Sequence, residues 1–571
     1  MKKHVFLISC GLIISTGALA KKAPNHQTEL ISTIKPTSLK IGNKTLNSNT
    51  GFPTTIFNIN KAVYGNTIEE KAKTYLEENT VFINSNKSNF SELRVVFTST
   101  GKASTTVRFK QFVDDIPVYK SDIAVSINNK NIATFVSASY KTVDRMINKN
   151  SGLTGFLAED IARNYLSFSA ELKQLKSDLV VYAEDNIARL AYKVTVISKS
   201  KPGEWEVLVD ATNGVVLEAF DTLAYANKQG GSTQESGTVS AFDPDPLSTA
   251  GVNYGASGYV DGNDSNTTQL GSQIYTFNAT VTNNGSGTYK LENDWAVIFD
   301  HESPRNGLFT QNSNSFIFDR ADAGFEATNV FYHIQTYMQY LNETLGVNVM
   351  PNNHSGGVRF DPHGFNGADN SSFSPSSDRL QFGEGGVDDG EDADVVIHEL
   401  GHGLHDWVTG GGLSQVNGLS EGTGDYFANS YARGRPDFQW TPADQEYYWV
   451  FSWDGHNPFW NGRRTNYGAS YPNGLTGSIH TDGQIWASCL MKVWDELGAA
   501  KTDTIVLEGL RMTGSNTNQA QAAQAVLQAA ADLNYANNDL ITIEDQFNAC
   551  GYDVDSVAST DLIYMNSFEQ E

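Results

Sequence analysis

His398 and His402 stand four residues apart with Glu399 between them, and after eighteen further residues Glu421 is followed at the same interval by Asp425. No other pattern in the chain restricts its folding as tightly. On a helix of 3.6 residues per turn, positions i and i+4 share a face, so both imidazoles project from one side of the run D-V-V-I-H-E-L-G-H-G-L-H. The segment S-E-G-T-G-D-Y-F-A-N-S-Y reads as a second helix with Glu421 and Asp425 on one face, and the intervening residues suffice for a loop and a reversal. Two imidazoles and a carboxylate are a ligand set for zinc, which in a catalytic site keeps a fourth position for water. A bare His-Glu-x-x-His also arises by chance on amphipathic helices, leaving two histidines on a solvated face. The Glu421/Asp425 helix favours metal, with His398, His402 and Glu421 as ligands, Glu399 beside the ion, and Asp425 accepting the outer N–H of a ligand histidine.

At 571 residues the chain is too long for one core and predicts two or three domains of average globular composition. Its first twenty residues combine Lys2 and Lys3, an apolar run and Ala18-Leu19-Ala20, the pattern of a secretory signal peptide; a lipoprotein reading of Leu7–Cys10 has too short an apolar run before the cysteine. No later stretch has the ~20 apolar residues of a membrane span, so a secreted protein without a membrane anchor is expected. Of three cysteines, Cys10 lies in the signal; Cys489 and Cys550 form an even pair that an oxidising compartment would join, the alternative being two buried thiols.

Charge divides the chain. Residues 21–230 carry 26 basic and 21 acidic side chains, residues 231–571 carry 12 and 44. The sign change marks a boundary, argues against nucleic acid as partner of the second part, and suits two parts that dock in a precursor. Acidic residues that simply keep an exported protein soluble would look the same.

Before that boundary, 66–79 predicts an amphipathic helix with Ala72, Tyr75 and Leu76 inward, followed by strands at Leu93–Thr98, Thr105–Phe112, Ile116–Tyr119 and Asp122–Ile127. A helix near Ala158–Phe168 opens a second unit with strands Leu179–Ala183, Ala188–Ile197 and Trp205–Asp210, the last turning at Asn213-Gly214 into Val215–Leu217. Neither unit offers a nucleophile, metal cluster or phosphate loop. Ala224–Gly237 has the composition of a cleavable linker. Thr238–Asp319 predicts a β-rich region, Phe325–Leu345 a helix carrying a packed His333, Val358–Phe360 and Arg379–Gly383 a strand pair, Asp482–Leu497 a helix, and Thr502–Asn548 a helical remainder. His405, ~10.5 Å along the helix axis from His398, is too distant to share an ion and is assigned to structure.

The helices H-E-L-G-H-G and S-E-G-T-G-D with the later S-I-H-T-D-G-Q-I-W-A resemble the gluzincin metallopeptidases of the thermolysin and fungalysin families, and T-T-V-R-F-K-Q-F-V-D-D-I-P-V-Y resembles the propeptide ahead of such enzymes. The resemblance implies an α+β fold in which a signal peptide (1–20) and a propeptide (21–225) precede a two-lobed catalytic domain (226–571), its β-rich lobe and helical lobe meeting at zinc. The propeptide would comprise a family-type unit at about 50–135 and a helix-on-sheet module at about 150–222, acting as intramolecular chaperone and inhibitor. It further implies Glu399 as general base, His480 as stabiliser of the oxyanion with Arg463 or Arg464 as a second donor, and Asn370 as an edge-strand contact to substrate backbone. Asp394 falls where thermolysin has a calcium ligand, but Tyr426–Gly434 supplies no further carboxylate, which weighs against calcium there. Departures concern the oxyanion machinery: Gly403–Ser420 lacks the family's tyrosine, and Leu475 stands where an aspartate precedes the histidine by five. The eighteen-residue spacing is also that of gluzincin aminopeptidases, whose G-A-M-E-N stretch is missing. An endopeptidase acting on protein or peptide substrates is therefore expected, against an aminopeptidase or an inactive secreted protein with a structural metal.

Overall fold

The computed structural model describes residues 38–41, 43–47, 53–79, 93–141, 151–166, 172–184, 187–198, 204–221 and 233–557. The expected signal peptide, most of the stretch expected as a linker and the last residues lie outside these ranges.

The described residues between 38 and 221 build a twelve-stranded sheet with two helices. Strands β1 (Ser38–Ile41), β2 (Lys44–Asn47), β3 (Pro53–Ile56), β4 (Lys61–Ala62), β5 (Leu93–Thr100), β6 (Ser104–Val113), β7 (Ile116–Asn128) and β8 (Ile132–Ala138) form one antiparallel part, and β9 (Leu172–Glu184), β10 (Ile187–Ser198), β11 (Glu204–Asp210) and β12 (Val216–Asp221) the other. One parallel pairing, Val118 with Val181, joins them. The two strands expected between Ile116 and Ile127 are one, β7, which pairs with β6 on both sides of an irregularity: Lys110 faces Asp122 and Phe112 faces Pro117, so the residues between, with Lys120 at φ 47°, leave the ladder without ending the strand. Helix α1 (Ile68–Glu78), capped by Thr67, buries Ala72, Tyr75 and Leu76 against β6–β8, as their spacing predicts. Helix α2 (Gly155–Tyr165) covers Val194, Val196, Trp205, Val207 and Val209; the intervening Leu208 faces a different cluster, the period-two alternation of a strand. Gly214, at φ 77°, makes the turn into β12.

The stretch Ala224–Gly237 is not linker throughout. Residues 233–237 open strand β13 (Thr233–Ala241), which pairs with β14 (Tyr275–Asn283), so linker composition ends by residue 232. Residues 234–236 are partly or fully exposed, so their composition reads as linker; pairing with β14 extends the strand through them from the buried Val239 and Ala241. Beyond α3 (Pro246–Ala250) and α4 (Thr268–Gly271), β15 (Tyr289–Lys290) and β17 (Ser315–Phe316) complete one four-stranded sheet; β16 (Ala296–Ile298), β18 (Val358–Asp361), β20 (Arg379–Gln381) and β19 (Ser372–Ser374) form a second in that order, with β19 at its edge. Helix α5 (Gly324–Gln339), continued by a π turn over Tyr340–Thr344, is buried nearly all round, with His333 packed on Tyr431. Helices α6 (Ala393–Thr409), α7 (Leu419–Arg433), α8 (Ile479–Leu497), α9 (Ala499–Arg511), α10 (Gln519–Asp532) and α11 (Asn537–Ala549) share its core. Cys489 and Cys550 form a disulfide joining α8 to the end of α11.

Residues 38–221 pack on α9 and α10. The Glu508 carboxylate accepts the backbone N–H groups of Lys102 (3.0 Å) and Ala103 (3.1 Å) in the β5–β6 turn. Arg108 donates to the Thr513 carbonyl, Thr134 and Asn128 donate to Asp532, and Phe57, Ala103 and Phe135 interleave with Met512, Ala525 and Ala529. These contacts are hydrogen bonds and apolar packing, so whatever the opposite net charges contribute acts at longer range.

Candidate metal centre

Helix α6 starts at Asp392, whose carboxylate accepts the Asp394 N–H, and stops at Gly410, left-handed at φ 64°. Phe97 of β5 packs where any Cβ at Gly410 would stand. Val395, Val396, Ile397, Leu400, Leu404, Trp407 and Val408 bury the helix on all sides, which holds its polar face in a dry setting. Helix α7 approaches it through glycines: a Cβ on Gly401 would lie 2.8 Å from the Gly424 Cα, and one on Gly424 would lie 2.5 Å from His398 Nδ1. This close approach sets Glu421 opposite the two histidines.

Three donors converge. His398 Nε2 and His402 Nε2 are 3.1 Å apart, and the Glu421 oxygens lie 3.6 Å from the first and 3.7 Å from the second. Ligands ~2.05 Å from a tetrahedral centre are separated by about 3.3 Å, so the set fits zinc, and His398, Glu399 and His402 also offer atoms within 4.8 Å of one another. The outer nitrogens are held in turn: His398 Nδ1 contacts Asp425 Oδ1 at 3.0 Å and His402 Nδ1 meets Ser420 Oγ at 2.8 Å, leaving both Nε2 atoms facing the centre. Gln415 donates to Glu421 Oε1 at 3.1 Å.

Burial sets the charges. It drives His402 down to about 3, so that imidazole is neutral and available as a ligand. Burial and Arg463 push His398 the same way, but Asp425 and Glu421 outweigh them and hold it up to about 9. Burial opposes ionisation of Glu421, yet His480, His402, His398 and Arg463 together hold it well below the carboxylate range. Glu399 has fewer cationic neighbours, and burial raises it to about 7, despite His398 and a hydrogen bond from the Phe373 backbone.

Of the two arginines, Arg463 reaches the centre, with Nη1 3.0 Å from Glu421 Oε2 and Nε 3.2 Å from Asp425 Oδ1; Arg464 is exposed, its backbone N–H bonded to Gln484. His480 Nε2 is 3.4 Å from Glu421 Oε2 and its side chain is half exposed. The α8 helix begins before Asp482, at Ile479, because Ser478 caps it, so His480 sits in its first turn. Asp482 accepts from Thr476 and Gly477 and does not replace the aspartate that Leu475 lacks. Asn370 is exposed, two residues before the edge strand β19. Asp394 accepts the Phe451 N–H at 2.9 Å, and His405 is buried and held neutral by burial. Ser420 and Gln415 escaped the sequence reading. Ser420 immediately precedes a ligand and could have been suspected as an outer partner; Gln415 has no such signal.

No family model matches the chain. It is 25% identical over 484 residues to the thermostable neutral protease NprT of Geobacillus stearothermophilus, covering 78% of this chain and 83% of that protein, and 25% identical over 483 residues to thermolysin of Alicyclobacillus acidocaldarius subsp. acidocaldarius, with the same coverage. It is 26% identical over 318 residues to extracellular metalloproteinase 4 of Trichophyton soudanense, covering 46% of this chain and 79% of that protein. Among solved structures it resembles the Bacillus megaterium YpeB C-terminal domain over 31% of its length, at 13% identity and a TM-score of 0.18, too slight a likeness to bear on the fold. Relatives matching most of the chain at 25% identity, together with a donor set of this spacing, support a metallopeptidase of the thermolysin/fungalysin type.

Proposed function

We propose that the protein is a secreted zinc endopeptidase made as a zymogen. The observation that carries this reading is the mutual spacing of His398 Nε2, His402 Nε2 and Glu421, with the Glu399 carboxyl beside them. Zinc held there supplies a Lewis acid for the peptide carbonyl and acidity for a water. The Glu399 carboxyl, raised to about 7 by burial, would serve as the base that accepts a proton from an attacking water and returns it to the leaving amine. His480, in the first turn of α8, and Arg463, which also braces Glu421 and Asp425, donate to the oxyanion. An extended peptide adds to the edge of β19, which favours internal bonds over termini. The catalytic domain runs from about 226, its β-rich and helical lobes meeting at the zinc. Residues 21–225 act as chaperone and inhibitor through the contacts to α9 and α10, and cleavage within or just before 224–232 matures the enzyme.

No helix among the described residues is long and apolar enough to cross a membrane, and export rests on the N-terminal signal pattern. Casein zymography tests the assignment. Wild type clears the substrate and Glu399→Gln, with equal bound zinc, does not; equal clearing by both removes Glu399 from catalysis and the mechanism with it.

A further inference from the structure

A second group of potential ligands lies outside the zinc set. Glu326, in the first turn of α5, and Asp388 and Glu391, flanking the short turn that leads into α6, each bring a carboxylate oxygen to within 4.8 Å of the other two. All three are buried, Glu391 completely, Glu326 at 2% exposure and Asp388 at 6%. In each, one oxygen, Glu326 Oε2, Asp388 Oδ1 or Glu391 Oε1, is buried without a hydrogen-bond partner among the described residues. Unpartnered buried carboxylate oxygens cost several kcal/mol each unless a cation or proton meets them.

The neighbouring cations are already engaged. Arg320, wholly buried, donates Nε to Glu391 Oε2 at 2.8 Å and Nη2 to Asp261 Oδ1 at 2.6 Å. His363 has acceptors at both ring nitrogens, Glu384 Oε1 at 2.6 Å and the Ala323 carbonyl at 2.7 Å, so it is protonated and committed to them; its Nε2 is 3.8 Å from Glu326 Oε2. Asp264 adds further negative charge near Asp388. Two cations therefore face Glu326, Asp388, Glu391, Asp261, Asp264 and Glu384.

We propose that Glu326, Asp388 and Glu391 bind a divalent cation of the calcium type. Hard oxygen donors all within 4.8 Å of one another can reach a common ion at calcium–oxygen distances of ~2.4 Å. The ion ties the start of α5 to the turn ahead of α6, where Gly390 lies so close to α5 that a Cβ would stand 3.1 Å from the Glu326 Cβ. This is not the Asp394 position: Asp394 Oδ2 accepts the Phe451 N–H, and Asp394 is not among the three carboxylates that converge here.

The test uses the full chain carrying Glu399→Gln to prevent self-digestion, stripped of metals, reloaded with zinc and titrated with calcium. Bound calcium is counted by mass spectrometry. Terbium is a second probe, because the Trp453 indole donates to Glu391 Oε2 at 2.9 Å and can sensitise its emission. The expected result is calcium-competed terbium emission and a Tm raised by about 3 °C at calcium near 100-fold its Kd. Glu326→Gln and Asp388→Asn each weaken calcium binding at least about tenfold and remove the Tm response. Asp369→Asn, in a neighbouring acidic trio with Asp389 and Asp454, retains both. A parent chain that binds no calcium and shows no Tm response overturns the proposal, as does a Glu326→Gln chain with the parent's stoichiometry and affinity. If the carboxylates hold protons instead, Glu326→Gln matches or exceeds the parent's Tm with or without calcium. Should the variants fail to fold, the parent's terbium emission decides: none, or emission that calcium does not displace, refutes the site.

Discussion

Gly424 offers a test of how far the zinc set depends on helix approach. A methyl there would stand 2.5 Å from His398 Nδ1, 2.8 Å from Cε1 and 2.9 Å from Cγ. Ordinary contact begins near 3.4 Å, so in Gly424→Ala the ring must retreat by about 1 Å or α7 must move off. Either movement breaks the 3.0 Å contact to Asp425 and spoils the 3.1 Å approach of the two Nε2 atoms. Loss of an outer-shell partner lowers metal affinity about 10–100-fold, or about 1.4–2.7 kcal/mol. The fold itself should survive, since overpacking costs about 1–3 kcal/mol and alanine returns about 1 kcal/mol of helix propensity. Zinc affinity is measured by chelator competition in the Glu399→Gln background, with Tm as control. Gly424→Ala binding zinc within about twofold of the parent, at unchanged Tm, would refute the claim that glycine is needed for the ring's position.

Arg463→Ala should lower kcat/KM at least about tenfold, with Arg464→Ala within about twofold, because only the former reaches Glu421 and Asp425; comparable losses would reject this division. Closing a 61-residue separation, the Cys489–Cys550 bond contributes about 4 kcal/mol by chain entropy, so the double alanine variant should melt about 5 °C lower or more; an unchanged Tm would contradict this. Asp532, where residues 38–221 meet α10, is raised by burial from 3.8 to about 6. Its folded pKa exceeds its unfolded one, so its stabilising contribution is complete below about pH 4 and lost as pH rises through 6. Between those values Asp532→Asn should gain on the parent by up to about 3 kcal/mol, visible as a flatter dependence of Tm on pH; parallel profiles would show that this carboxyl is not the titrating group.

Local pattern carried much of the architecture. The faces of α1 and of β11, the Asn213-Gly214 turn and the α6 helix follow from period and turn chemistry, which act between near neighbours. Strand ends read less well. The single β7 and the ordered start of β13 are fixed by pairing with β6 and β14, which no local propensity encodes. Helix α8 starts three residues before the expected Asp482 because Ser478, an ordinary residue in a turn-rich stretch, caps it.

By itself the sequence determined that two imidazoles leave one helix together and that two carboxylates leave another, since both are consequences of helical period. Tertiary structure decided which groups face them. Gly401 and Gly424 bring the helices into contact, Ser420 aims His402, Arg463 and not Arg464 turns inward, and Glu326 meets Asp388 and Glu391 across more than sixty residues of chain. Charges that far apart in sequence interact only once burial has stripped the water between them, and burial is a property of the whole packed molecule.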